Sequence, residues 1–494
     1  MRFDTTARGY RQVTLLLALA GLLSLVLADL GIHTVSPGDE LRRLGTGLLT
    51  PDFLATGGLM AALANTVAFA FQGVALGVCA GALLATVWHW RPVRLFSAII
   101  RAVHELFWGL LIIQLFGLST LTGVLAIAIP YAGIFAKVFG EFLEESDSRP
   151  QTALAPGADA LSRLLFARVP LIWDHMRRYT AYRLECAIRA SAILGFIGLP
   201  TLGFHLETAF RQGQYSAGAA LLYLLLLLIL TMRWWLRPVL LPVYLLAALI
   251  WSPPVAPWRP DAWQFFLRDI VPAPLREGGT GNVTPWLHDL LSTQVLPGLG
   301  QTLLVGCAAL LVTGLLGMLL APLVSPFFGN RVSRAGAHVL LVTMRSLPEF
   351  LLAFVLLLCL GPSMLPGILA LALHTGAIVA HLNGHFSGAL TLRADRPRGI
   401  DGYFWDVLPR LYPTFLAFLL YRWEIIMRET AVLGILGIHT LGFYVDSAFA
   451  EFRLDRALLL ILAGVCLNLA VDGVSRRLRA AVRLSSSIRE TAHA

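Results

Sequence analysis

Eight charged side chains interrupt runs that are otherwise apolar, and they fall into four pairs spaced by four. The pairs are Arg101 and Glu105, Glu185 and Arg189, Arg345 and Glu349, and Glu424 and Arg428. On a continuous helix that spacing places both members on one face, so each pair reads as an Arg–Glu couple. A charge at the middle of a bilayer costs roughly 2.5–3.5 kcal/mol on insertion scales, and therefore needs a partner or a wet cavity. Two chemistries follow. The couples neutralise themselves and pin helices together, or they line a translocation route in which guanidinium groups meet an anionic solute in passing. His104 beside Glu105 suggests a third, a proton relay, which is weakened by Pro348 at the matching place in the second half.

Other chemistries lack their residues. There is no His-Glu-x-x-His, no Gly-x-Ser-x-Gly and no His and carboxylate cluster at metal-ligand spacing, so no catalytic residue and no metal are expected. A membrane enzyme such as a lipid transferase would need a nucleophile or an acid–base pair at a membrane face, and none stands out. His374, His381 and His385 recur at near-helical spacing and read as packing or interfacial residues. The one lysine, Lys137, lies in FAKVFG, which is no phosphate loop; any ATP must be hydrolysed on another polypeptide. The five cysteines all fall within predicted spans and read as packing residues. No cofactor is expected on this chain.

The elements that must carry these residues are membrane helices. Of 494 residues, 57% are hydrophobic and 14% charged, and the mean hydropathy is +0.74. A soluble chain carries about a quarter charged residues. Apolar runs of about 20 residues recur throughout, the length a helix needs to cross the hydrocarbon core. Continuous runs such as Leu221–Leu230 exclude an alternating barrel strand. The expected fold is an all-α polytopic protein with about 12 spans, among them a third near 96–117, a fifth near 180–204, and their second-half partners near 339–360 and 412–444. With both termini cytoplasmic, most of the 38 Lys and Arg fall on the cytoplasmic side, including the C-terminal group Arg476, Arg477, Arg479, Arg483 and Arg489. The net charge of +9 is then topology and lipid contact, and nucleic acid is not an expected partner.

The chain repeats itself. YRLECAIRASAILGFIGLPTLGF from Tyr182 aligns with YRWEIIMRETAVLGILGIHTLGF from Tyr421, preserving Arg, Glu and Gly at fixed places. Upstream, RAVHELF from Arg101 aligns with RSLPEFL from Arg345. Apolar segments resemble one another by chance, but chance does not keep charged residues and glycines in register. Residues 1–234 and 235–494 therefore read as two parallel copies of a six-span unit, with long loops at 139–178 and 385–411. Parallel copies imply a pseudo-two-fold axis along the membrane normal and a path between them.

Within the first loop, Gln151, Thr152 and Ala153, then Gly157, then Val169-Pro170 have the spacing of a short surface helix, a glycine turn and a second helix entering the membrane. This resembles the coupling loop of binding-protein-dependent ABC importers, whose Glu-Ala-Ala is here Gln151-Thr152-Ala153. The second loop is shorter; Arg396 stands where the glycine would be, while Leu408-Pro409 remains. Together with Arg-x-x-x-Glu in the third span and Tyr-Arg-x-Glu-x-x-x-Arg in the fifth, the chain resembles the permeases of phosphonate- and phosphite-type importers, as two six-span units fused. The resemblance implies two ATPase subunits that bind Mg-ATP, an extracytoplasmic solute-binding protein, a small oxyanion substrate and a bacterial inner membrane. The external segment 253–295, rich in Pro, Trp and Gly, reads as an interfacial anchor between the halves. An ion-coupled secondary transporter with parallel repeats is the alternative.

Overall fold

The structure is a computed structural model that describes residues 3–482 apart from 148, 153–156, 252–259, 279–281, 329, 396 and 398. It is 84% helical, and no strand occurs among the described residues. Six helices are long and apolar enough to cross a membrane, and four bent helix pairs meet the same test when each is taken as one span. Two shorter apolar helices, Tyr215–Leu230 and Leu241–Trp251, accompany them.

In the first half we label α1 (Phe3–Leu27), α2 (Leu59–Thr86), α3 (Arg91–Ala102), α4 (Glu105–Phe116), α5 (Thr120–Glu145), α6 (Val169–Ile193), α7 (Leu202–Arg211) and α8 (Tyr215–Leu230), and the second half opens with α9 (Leu241–Trp251). The second half continues with α10 (Leu296–Val324), α11 (Arg331–Ser346), α12 (Glu349–Leu360), α13 (Met364–Ser387), α14 (Leu408–Val432), α15 (Leu441–Ala450) and α16 (Leu454–Ala481). The chain forms two compact units, one of Gly47–Phe265 and one joining Met1–Thr46 with Phe266–Ser487. These do not coincide with the sequence repeats. α1 packs on α10, and α9 packs on α2, so each leading helix belongs to the unit built mainly from the other half.

Small residues decide the central packing of each unit. Gly73, Gly77 and Gly81 form a stripe along α2, where an added Cβ would come within 2.7, 2.9 and 2.5 Å of the Cβ atoms of Ile127, Tyr131 and Phe135 on α5. With no hydrophobic drive between helices in lipid, such backbone-close contact is what holds them. α10 meets α13 in the same way, with a Cβ at Gly317 falling 2.7 Å from Val379. α1 reaches α10 through Gly21, where a Cβ would sit 2.5 Å from that of Leu311. α9 is tied to α2 by polar contacts, Gln72 Nε2 donating to the Ala248 carbonyl at 2.8 Å and Trp251 Nε1 to Asn65 Oδ1 at 3.0 Å.

The segment 253–295, expected outside the membrane, is more structured than an irregular anchor. Its described part forms helices Pro260–Ile270 and Ala273–Arg276, and from Val283 the chain runs helically into α10. Buried Asp455, at the start of α16, accepts the Ala273 N–H at 2.9 Å, and Arg276 pairs with Asp269 at 2.6 Å.

Candidate functional site

The third span of each half is broken. α3 and α4 meet at 91°, and α11 and α12 at 94°. Val103 and His104 are extended between the first pair, and Leu347 and Pro348 between the second. Proline disfavours helix at the residue before it, which accounts for the second elbow. At the first, His104 serves as the helix cap, its Nδ1 accepting the Leu106 N–H at 3.2 Å. Trp108 Nε1 donates to the Ile100 carbonyl at 3.1 Å and ties the two arms together. The expectation that Arg101 and Glu105, and likewise Arg345 and Glu349, share one helix face is therefore wrong. Each arginine ends one helix and each glutamate opens the next, where the helix dipole favours a carboxylate.

Both elbow glutamates have a histidine beside them. His104 Nε2 lies 3.7 Å from Glu105 Oε1, and His374 Nε2 lies 3.5 Å from Glu349 Oε2. His374 Nδ1 also approaches the Leu347 carbonyl at 2.8 Å. His374 is thus no mere packing residue. The pairing of an elbow carboxylate with a histidine from another helix was not readable from spacing. The ring of His381 lies 5.3 Å from that of His338, and no metal-competent group occurs among the described residues.

In the fifth span, Glu185 and Arg189 do share a face, with Arg189 Nη2 3.7 Å from Glu185 Oε1. In the second unit Arg428 donates to its neighbour Glu429 at 3.1 Å, and Glu424 lies one turn earlier on α14. Arg183 donates to the Tyr179 hydroxyl at 2.8 Å and stacks over that ring.

Most of the strongest repeat, Leu-Gly-x-x-Gly followed by Thr-Leu-Gly-Phe, builds a joint. α6 tightens into a 3₁₀ turn over Leu194–Ile197, Gly198 takes φ +91, and α7 leaves at 50°. α14 does the same over Leu433–Leu436, with Gly437 at φ +87 and a 44° bend into α15. The two arms touch by backbone, since a Cβ at Gly203 would fall 1.8 Å from the Ala192 carbonyl oxygen. Leu202 N–H donates to Thr66 Oγ and Leu441 N–H to Thr302 Oγ, each at 2.9 Å, anchoring the joint to α2 or α10.

The two loops expected to couple to an ATPase share a design. In the first, Gln151 and Thr152 close a short helix, Arg149–Thr152; Ala153 lies outside the described residues, and Gly157 adopts φ +95. Asp159 caps Ala160–Ser162 by accepting the Ser162 N–H, and a π-turn over Arg163–Arg168 leads to Pro170, the second residue of α6. In the second loop Arg396 lies outside the described residues, and Gly399 supplies the left-handed turn at φ +68. Ile400–Gly402 and a π-turn over Tyr403–Val407 lead to Leu408 and Pro409, which open α14. A proline ring needs room at the carbonyl four residues back, and the wider π-turn provides it. Arg168 ties the first loop to the Leu143 carbonyl at 2.9 Å. In the second, buried Asp406 accepts from Arg393 N at 3.1 Å and from Arg410 at 3.3 Å, beside a cleft of about 550 Å³. Hydrogen bonds from Arg149, Ser162 and Arg393 hold the exposed carboxyls of Asp147, Asp159 and Asp395 below the usual range.

Three apolar side chains stand exposed at equivalent places on the two loops. They are Leu161, Leu165 and Phe166 on the first and Ile400, Phe404 and Trp405 on the second, with Phe166 73% and Trp405 69% accessible. No sequence signal marked them, because an apolar residue in a loop looks the same whether it packs inward or not.

Broken spans, glycine joints and matched loops, present in both units, define a polytopic helical membrane protein with an internal duplication. The comparisons say which. Over 410 residues the chain is 25% identical to the phosphate-import permease protein PhnE of Mycolicibacterium smegmatis, covering 77% of this chain and 75% of the relative. The phosphite transport system permease protein PtxC of Stutzerimonas stutzeri is 30% identical over 191 residues, which are 37% of this chain and 70% of PtxC. The putative cryptic phosphonate transport system permease protein PhnE2 of Escherichia coli is 28% identical over 104 residues, covering 21% of this chain and 85% of the relative. No protein-family model matches the chain, and no solved structure does. The chain belongs to the family of phosphonate- and phosphite-type ABC transporter permeases.

Proposed function

We propose that this chain is the complete membrane channel of an ATP-driven importer for a small phosphorus oxyanion, with both permease units in one polypeptide. The observation that carries the proposal is the matched pair of exposed apolar ridges on loops that otherwise differ in length and sequence. A surface kept at equivalent positions on both units, while the rest of the loop changes, is suited to two copies of one partner. An ATPase subunit is the partner that uses such loops in this family. The 37% share of the chain matched by PtxC, against 70% of PtxC itself, supports reading 1–234 and 235–494 as two permease units of about 12 spans in all. Both termini then face the cytoplasm of a bacterial inner membrane, and an extracytoplasmic binding protein delivers phosphonate, phosphite or phosphate.

In this mechanism ATP-driven closure of two ATPase subunits draws the loops together and rotates α6 and α14 about their glycine joints. The cargo passes Arg101, Arg189, Arg345 and Arg428, whose guanidinium groups suit a tetrahedral oxyanion. Purification from native membranes with stoichiometry by mass spectrometry tests this. One copy of the chain with two ATPase subunits is expected, and Phe166→Asp with Trp405→Asp should release them. A lone chain, in preparations where other ABC complexes survive, together with uptake abolished by ionophores, would make it an ion-coupled transporter instead.

A further inference from the structure

The two elbows obtain the same contact from different places in the sequence. Aligned by the repeat, His104 corresponds to Pro348 and Pro130 to His374. One half therefore carries histidine at the elbow and proline within α5, and the other carries proline at the elbow and histidine within α13. Despite the exchange, an imidazole nitrogen faces the elbow carboxylate in both units, at 3.7 Å in one and 3.5 Å in the other. Both imidazoles are buried, at 3% and 7% exposure.

The backbone accepts either residue at each place. His104 has φ −70 and ψ 150, and Pro348 has φ −57 and ψ 133, while Val103 and Leu347 before them are both extended. Those are values that proline and its predecessor adopt freely. Fixing the backbone thus requires no histidine at 104, and packing α13 requires none at 374, since proline stands at the equivalent point of α5. What the two arrangements have in common is the imidazole against the carboxylate.

We propose that His104 and His374 are one functional element, a positioning residue in each unit that engages the elbow glutamate and masks its charge from an anionic cargo. An open carboxylate on the route of an oxyanion repels it, whereas one faced by a proton-bearing Nε2, that of His104 or of a His374 imidazolium whose Nδ1–H donates to the Leu347 carbonyl, presents less negative charge. The role is added to the transport reading above and rests on it. It places the imidazoles on the cargo-handling side of each unit's machinery and leaves the coupling loops to drive it.

The test is an exchange of positions in the whole importer, reconstituted with its ATPase and binding protein, with phosphite as the transported probe. His104→Pro alone should raise the KM for phosphite about tenfold, in the range of a direct side-chain coupling, with a smaller fall in kcat. His104→Pro with Pro130→His should return KM to within about threefold of wild type. The reciprocal exchange, Pro348→His with His374→Pro, should likewise rescue His374→Pro in the other unit. An exchange variant that assembles and melts like wild type but keeps the single variant's KM overturns the proposal. So do two exchange variants that fail to assemble while both single variants succeed, because then the positions are not equivalent in space. Wild-type complex that imports neither phosphite, phosphonate nor phosphate overturns the transport reading and this inference with it; import without rescue overturns the inference alone.

Discussion

Replacing Thr302 by Val removes one oxygen and adds one methyl, which makes it a clean probe of the joint. In the structure Thr302 Oγ accepts the Leu441 N–H at 2.9 Å and donates to the Gly298 carbonyl at 2.7 Å, and the side chain is 1% exposed. Valine keeps the shape and leaves a buried amide without an acceptor, a loss of about 1–3 kcal/mol. At roughly 2–4 °C per kcal/mol for a unit of this size, the melting temperature of detergent-solubilised protein should fall by about 2–12 °C. Thr66→Val should cost the same amount, because Thr66 Oγ accepts Leu202 N–H at the same 2.9 Å and is fully buried. The two sites lie in separate compact units, so their effects should add. Thr302→Ser retains the oxygen and serves as the control, losing only a methyl. If Thr→Val and Thr→Ser lower the melting temperature equally at both sites, the hydroxyl does not anchor the joint and the reasoning fails.

Further outcomes follow from the same geometry. Gly203→Ala and Gly434→Ala should prevent assembly, since the new Cβ would meet backbone atoms at 1.8 and 1.9 Å; Gly473→Ala, with open space around it, should be neutral or raise stability by up to about 1 kcal/mol. Monomeric, folded protein from either of the first two would contradict the backbone contact. Asp406→Asn should speed hydrogen exchange at the Arg393 amide and slow coupled ATP turnover while Asp395→Asn leaves that amide unchanged, because Asp406 accepts that amide and Asp395 pairs with the Arg393 guanidinium. Acid should loosen the loops. Asp147 and Asp159 are depressed by hydrogen bonds, so their contribution is present above the ordinary carboxylate pKa and is lost as pH falls through the folded value. Protection of the Arg149 and Ser162 amides, relative to their intrinsic exchange at the same pH, should therefore fall below about pH 4, and a flat protection factor there would refute it.

The class of the molecule and its duplication were legible in the sequence because both rest on composition and on residues held in register. The glycine joint was visible as a repeat, although its role was not, since conserved spacing does not distinguish a gate from a hinge. The elbows were misread for a definite reason. Arg101 and Glu105 are spaced by four whether or not a helix runs through them, and the break between them is made by two extended residues with no proline in the first copy. Pro348 carried the signal in the second copy and was read only as the loss of a histidine. The contact of His374 with Glu349 joins residues 25 positions apart on different helices, which no local pattern encodes. The packing of α1 and α9 on the other half's helices is equally a tertiary fact, set by where Gly21 and Gln72 find their partners.

That crossed packing has a consequence for biosynthesis. α1 leaves the ribosome well before its partner α10, which begins only at Leu296. At translation rates of 5–20 residues per second, α1 waits on the order of tens of seconds for the surface it packs on. Meanwhile Gly47–Phe265, which includes α9, has been made in full and can close. The nascent protein therefore passes through a stage with one finished unit and one orphan helix whose glycine face is covered by lipid or by the insertion machinery. Cutting the chain at the repeat boundary would strand α1 on one fragment and α9 on the other, so two separately made halves would each have to borrow a helix to mature.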